Sequence, residues 1–329
     1  MMRKKAGGVW HVAEIIADDL EDRETGLSKP LRIGLADLSA SVLTCRSVNT
    51  SELANVLPRT VKSTEDSSRY IRRFLSNPKL KPLEVMEGFI PEILYMLTTN
   101  GQVAILMLDQ SKIGGGFECL MVSLRVGERA IPVAWRVKKT EGEMGYDEQE
   151  ALLNAVYAMI PQGIGIMLAA DRFYGTANLI SLCQRFGWHY RIRLKGNLNL
   201  LHQEGWMINS HEAKKMNLKG LESVRLGENG PLINVGILHE KGHPEAWYIA
   251  MDVKPSEART LDYGLRWGIE ALFSDLKTRG FSVTKTQIKQ ADRIERLLLV
   301  LTIALYWAVS TGMMPRESRV SSKKKRKDL

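Results

Sequence analysis

Two hydrophobic rhythms divide the chain. From about residue 101 the apolar positions come in short continuous runs. "VAILML" (103–108) closes on Asp109, and "GIGIMLAA" (163–170) closes on Asp171. Between them, "CLMVSLRV" and "RAIPVAWRV" read as two strands separated by Gly-Glu, and "EQEALLNAVYAMI" reads as a helix. "TANLISLCQRFG" reads as a second helix, stopped by Gly187. "WHYRIRLK" alternates with period two, so Arg191, Arg193 and Lys195 share one face of a strand. The predicted order is β-β-β-α-β-α-β. Residues 196–255 hold further strand-like runs, "SVRLGE", "LINVGILHE" and "AWYIAMDV", and read as a β-rich insertion.

The first 95 residues follow a helical rhythm broken by Pro58, Pro78, Pro82 and Pro91. Within them, residues 59–81 carry seven basic and two acidic side chains. Ser67 or Ser68 can cap a helix there. Ile71, Phe74 and Leu75 then form its apolar face, and Arg69, Arg72 and Arg73 point away from it. Such a face is either simply solvated or presents arginines to phosphates.

A third helical stretch, "YGLRWGIEALFSDLKTRG" (263–280), has an unusual polar stripe. At ~100° per residue, Tyr263, Arg266, Glu270 and Lys277 fall within about 60° of arc. A solvated face with an Arg266–Glu270 pair explains the spacing, and so does a surface that meets an anionic chain. The two aspartates bear on that choice. Adjacent parallel strands bring their carboxyl ends together, where open α/β sheets build their sites. Asp109 and Asp171 can therefore be neighbours, although an aspartate after a strand is also an ordinary turn residue. Three converging carboxylates suit hard divalent ions, and a pair of such ions serves phosphodiester chemistry.

Composition narrows the partners. The 329 residues carry 46 Lys and Arg against 37 Asp and Glu, a net +9, which favours an anionic partner such as nucleic acid. With 44% hydrophobic residues, a sizeable core is available. Three scattered cysteines without C-x-x-C spacing argue against a disulfide framework and for a reducing compartment. The longest apolar run, "LLLVLTIALYWAV" (297–309), is too short to span a bilayer and fits a buried helix. "HEKGH" (239–243) matches the H-E-x-x-H zinc pattern in letters, but Gly242 and Pro244 make it a turn, not a helix. The "SKKKRK" run (322–327) is a solvated basic tail that can add salt-dependent DNA affinity.

At this point the chain resembles bacterial insertion-sequence transposases with an Asp-Asp-Glu active site, within them the family-four group. Its Y-x2-R-x3-E-x6-K signature is met by Tyr263, Arg266, Glu270 and Lys277 without a gap. "LMLDQS" and "MLAADRFYG" resemble the segments that bear the two aspartates, and "DRIERLLLVLTIALYWA" the helix after the signature. The resemblance implies an α/β, ribonuclease-H-like mixed sheet flanked by helices, with the β-rich insertion and an N-terminal helical domain. The expected divisions are a DNA-binding region at 1–95, a catalytic core at 96–315 and a basic tail at 316–329. Asp109, Asp171 and Glu270 would be the catalytic residues and hold two Mg2+ ions, with Mn2+ as a substitute. Tyr263, Arg266 and Lys277 would contact phosphates, and Trp247 would stack on a flipped base. Arg69, Arg72, Arg73, Arg191, Arg193 and Lys195 complete the expected DNA contacts. The implied partners are double-stranded transposon ends and target DNA, met by a homodimer in the bacterial cytoplasm, with no membrane. A transposase-derived DNA-binding protein that no longer mobilises DNA is the alternative.

Overall fold

The structure is a computed structural model that describes residues 7–196, 199–202, 204–205, 207–209, 212, 219–239 and 246–313. The "SKKKRK" run and most of "HEKGH" lie outside the described residues. Two compact units are present. One combines the described residues up to Pro82 with those from Asp275 onward; the other is Leu83–Ser274.

The first unit is helical. It contains α1 (Gly8–Asp22), α2 (Lys29–Cys45), α3 (Thr50–Val56), α4 (Thr64–Leu75) and the long C-terminal helix Ala291–Met313. The sequence divisions assign residues 291–313 to the catalytic core, whereas this helix clusters with the N-terminal ones. The reason lies in its apolar run: Leu297–Leu301 and Ile303–Tyr306 are buried, mainly against α2 and α4. The segment 291–312 is long and apolar enough to cross a membrane, and 67% of its most apolar stretch is buried in the protein. Polar tethers fix the packing. Arg296 donates to the carbonyls of Leu75 and Leu80, both at 3.1 Å, and Arg23 donates to the Tyr306 hydroxyl at 2.8 Å. Gly34 permits a close crossing of α2 and α4, because a Cβ there would sit 2.5 Å from the Phe74 ring. α4 buries Ile71, Phe74 and Leu75 and exposes Arg69, Arg72 and Arg73, as its pattern predicts. Its cap is Ser63 rather than Ser67 or Ser68: the Ser63 hydroxyl accepts from the Asp66 amide at 3.1 Å, and the two later serines are buried within the helix.

The second unit is built on one mixed sheet and has the ribonuclease-H-like α/β arrangement. Helices α5 (Pro82–Glu87) and α6 (Ile90–Thr98) lead into β1 (Ala104–Gly114), β2 (Phe117–Val126) and β3 (Arg129–Lys139), an antiparallel meander. Helix α7 (Tyr146–Met159) leads to β4 (Ile166–Ala170), and α8 (Ala177–Phe186) to β5 (His189–Arg193). Both β4 and β5 run parallel to β1, giving the order β3-β2-β1-β4-β5. The predicted insertion does not form a separate sheet. β6 (Asn199–Leu201), β7 (Met207–Asn209), β8 (Gly220–Leu226), β9 (Leu232–Leu238) and β10 (Trp247–Met251) extend the same sheet from β5, with β10 antiparallel to it. After α9 (Glu257–Leu261), the chain crosses back over the meander as α10 (Gly268–Ser274).

The signature segment is not one regular helix. It runs as a 3-10 stretch (Asp262–Trp267), then α10, then a π-helical stretch (Asp275–Arg279) with which the first unit resumes. A 3-10 turn advances ~120° per residue, so the uniform α-helical stripe does not exist as drawn. Lys277 lies in the π stretch, whereas Tyr263, Arg266 and Glu270 belong to the sheet unit.

Candidate active site

Register sets the centre of the site. Leu108 on β1 lies opposite Ala170 on β4, and Ala170 lies opposite Ile192 on β5. One step further, Asp109 and Arg193 continue their strands while Asp171 directly follows the end of β4, and Asp171 lies in electrostatic range of Asp109. Asp109 is not at a strand end, as its sequence context suggests. β1 continues to Gly114 because β2 keeps pairing with it, Asp109 opposite Met121. What ends after Leu108 is the parallel pairing to β4, and this leaves the carboxylate beside Asp171.

Asp171 caps its own loop, its Oδ1 accepting from the Phe173 amide at 2.8 Å. Four residues on, the loop closes tightly on β5. A Cβ on Gly175 would sit 2.4 Å from the Arg193 carbonyl oxygen, so only glycine fits the backbone here. α10 supplies the third carboxylate. Gly268 opens that helix directly over Met107, one pleat before Asp109 on the same face. On β2, Arg125 donates to the Leu265 carbonyl at 2.8 Å and ties down the 3-10 stretch that leads in.

Arg266 joins the carboxylates. It is 8% exposed. Its Nη1 donates to Asp109 Oδ2 at 3.1 Å and its Nη2 to Glu270 Oε1 at 2.5 Å. Burial disfavours its charge, but the Tyr263 hydroxyl, Asp109 and Glu270 outweigh this and raise its pKa. For Asp109 the balance of causes is reversed, and burial wins. Burial pushes its carboxyl up to about 6, against the lowering pull of the Gln110 amide and Arg266; Asp171 and Glu270 add to the rise. The site is therefore acidic, with Asp109 mostly buried and Glu270 open to solvent. Its oxygen-only anionic donors have the chemistry of a magnesium or manganese site. Among the described residues, no three such groups stand in metal-binding geometry, since Arg266 lies between Asp109 and Glu270.

This raised pKa gives a stability prediction. Between about pH 4 and pH 6 the folded chain holds a proton on Asp109 that the unfolded chain has lost. Stability therefore falls as pH rises through that window, by about 3 kcal/mol at most. Denaturation by urea in the presence of chelator should show this slope in the unmodified protein and a flatter one in Asp109→Asn.

Several of the expected DNA contacts are buried in the DNA-free chain. Tyr263 is 3% exposed and packs edge-to-face on Trp247, ring centroids 5.3 Å apart. Trp247 is itself 8% exposed, clustered with Ile249, Met251 and Tyr263, so its faces are not open to a base. Alternation puts it on the inner side of β10, where a large ring fills the core. The exposed indole nearby is Trp267, 53% exposed and 5.9 Å from Trp247.

Arg191 is likewise buried. It donates to Asp252 at 3.2 Å and to the Arg259 carbonyl at 3.0 Å, and lies 3.6 Å from Asp262. It joins β5 to the end of β10 and to the start of the 3-10 stretch. Arg191→Ala should therefore cost about 2–3 kcal/mol in thermal unfolding while leaving the salt dependence of DNA binding unchanged. A reduced salt slope with normal stability would restore it as a phosphate contact. Arg193, half-buried at the end of β5, lies in electrostatic range of Tyr263, and Lys195 is exposed just beyond the strand.

One residue escaped the sequence reading. Tyr174, three after Asp171, is buried with its hydroxyl lacking a hydrogen-bond partner. Burial, then Asp109 and Asp171, hold it protonated. Its position in "DRFYG" was the available signal.

Residues 148–307 match the family described as the transposase DDE domain. The matched stretch contains Asp171, Glu270 and the whole Tyr263–Lys277 signature, and starts after Asp109. The match supports a DDE transposase. No curated protein matches the chain.

Proposed function

We propose that the chain is a cut-and-paste DNA transposase of the family-four type. It binds the double-stranded ends of its element and cuts and rejoins strands at a site made by Asp109, Asp171 and Glu270. The observation that carries this reading is the approach of Asp109 to Asp171 where β1 leaves β4, with Asp109 bridged through Arg266 to Glu270 on α10. The three carboxylates would hold two magnesium ions, or manganese in their place. Such ions lower the pKa of an attacking water and offset charge on the leaving oxygen.

The chain's own residues supply the rest. Arg193 and Arg266 border the carboxylates and offer guanidinium forks to a phosphodiester brought among them. Lys195 adds a point charge just beyond β5, and Lys277 of the other unit is a further phosphate contact in this reading. Tyr263 shapes the floor under Arg266, its ring 5.7 Å from that guanidinium carbon. Arg69, Arg72 and Arg73 stand exposed on α4 beside Ser76 and Asn77 and suit the backbone of duplex further inside the element. Arg69 pairs with Asp66 and Arg72 with Glu65 of their own helix, exposed contacts of little net worth that phosphate can replace. A homodimer on paired ends, in the bacterial cytoplasm, completes the proposal.

The test is incubation with Mg2+ and a duplex carrying the inverted repeat that flanks the gene, beside a scrambled duplex. Nicking at the repeat boundary, absent from the scrambled duplex, supports the reading. Equal affinity for both duplexes and no cutting would favour a DNA-binding protein that has lost mobilising activity. In the same titrations, Arg72→Ala or Arg73→Ala should weaken binding and lower the salt slope by about one. An unchanged slope would return that face to ordinary solvent exposure.

A further inference from the structure

We propose that Arg266 is a latch. It keeps Asp109 and Glu270 from divalent cations until a DNA phosphate takes its guanidinium. The inference rests on the reading of this site as a transposase centre and concerns how the site is switched on.

Both terminal nitrogens of Arg266 are committed to carboxylate oxygens, Nη1 to Asp109 and Nη2 to Glu270. A cation shared by those two residues needs the same oxygens and the same volume. Arginine and metal therefore compete directly, and loading the free protein requires breaking two ion pairs, one to the mostly buried Asp109 and one to the exposed Glu270. The latched state is not fully satisfied, however. Arg266 Nε is buried and has no hydrogen-bond partner. An unpartnered buried N–H is costly, and a phosphate can accept from Nε and one Nη together.

Charge accounting points the same way. Withdrawing the guanidinium toward a phosphate leaves the carboxylates uncompensated, and this favours a divalent cation. DNA and metal then raise each other's affinity, as linkage requires. The local backbone permits the motion. Arg266 sits in the 3-10 stretch Asp262–Trp267, which meets α-helix at Gly268. Such a junction inside a helical run often marks a hinge. A latch of this kind would keep a nuclease centre unloaded on a free or misplaced protein.

The experiment measures Mn2+ binding to the DNA-free full chain, by the loss of the free-ion electron paramagnetic resonance signal. Arg266→Ala is expected to bind Mn2+ at least about tenfold more tightly than the unmodified protein, within the usual range of coupling between sites. Arg266→Lys, which keeps the charge but cannot bridge both carboxylates, should fall between them, and it carries the test if the alanine variant fails to fold. A pre-cut end duplex should tighten Mn2+ binding by the unmodified protein and change Arg266→Ala much less. Equal or weaker Mn2+ binding by both Arg266 variants without DNA overturns the latch. So does a gain that survives Glu270→Gln in the Arg266→Ala background. Failure of the parent reading looks different: Asp109→Asn and Glu270→Gln would then leave Mn2+ binding of the DNA-bound protein unchanged.

Discussion

Replacing Asp109 or Asp171 with Asn, or Glu270 with Gln, is expected to slow metal-dependent cutting of end DNA by about a thousandfold. Affinity for the end should stay within about twofold. The size follows from what a carboxylate ligand does. Charge stabilisation by a bound metal contributes several kcal/mol to such a reaction, and ~4 kcal/mol corresponds to about three decades in rate. Each replacement keeps the shape and removes one anionic charge. The fold should tolerate all three, and Asp109→Asn removes the charge whose burial raises that carboxyl's pKa. Binding should survive because, in the proposed function, duplex recognition rests on cations and not on the acidic centre. Single-turnover cleavage at saturating protein, beside a binding titration, separates the two. A variant that cuts at the normal rate removes its residue from the ligand set.

The second large effect is on stability. Trp247→Ala should cost about 3–5 kcal/mol and lower the melting temperature by roughly 10 °C, the usual consequence of emptying a large aromatic site in a core. The ring packs on Tyr263 and Trp267 and lies within the Ile249 and Met251 cluster. Its loss also undermines the 3-10 stretch that carries Arg266. Trp267→Ala, at an exposed position, should shift the melting temperature by less than about 2 °C. If Trp247→Ala melts normally but loses binding to end DNA, Trp247 is a base platform rather than a core residue.

Strand order through β5 was legible because continuous apolar runs and period-two alternation are local signals. The approach of the two aspartates was legible from the same signals: two parallel strands, each with an aspartate one step past its apolar run, bring Asp109 into electrostatic range of Asp171. Sequence failed where a side chain's fate depends on distant partners. Arg191 alternates with Arg193 and so looks exposed, but Asp252 and Asp262, about 60 to 70 positions away, compensate its burial. Trp247 has the same letters whether it faces core or solvent. The signature was read as one helix, since nothing local announces a change from 3-10 to α to π. The role of Arg266 as a bridge was hidden for the same reason, because its link to Asp109 spans 157 positions. The C-terminal helix gave its burial away by composition, but not that its partners are α2 and α4.

The central claim is that Asp109, Asp171 and Glu270 hold the metal that cuts DNA, and a change of metal preference tests it most directly. Asp109→Cys and Asp171→Cys replace a hard oxygen donor with a soft sulfur, which magnesium refuses and manganese accepts more readily. Cleavage of the inverted-repeat duplex is measured for each variant in Mg2+ and in Mn2+. The account predicts no cutting by either variant in Mg2+ and measurable recovery in Mn2+, while the unmodified protein cuts in both. Equal cutting by a cysteine variant in the two metals, at the rate of the unmodified protein, would contradict it.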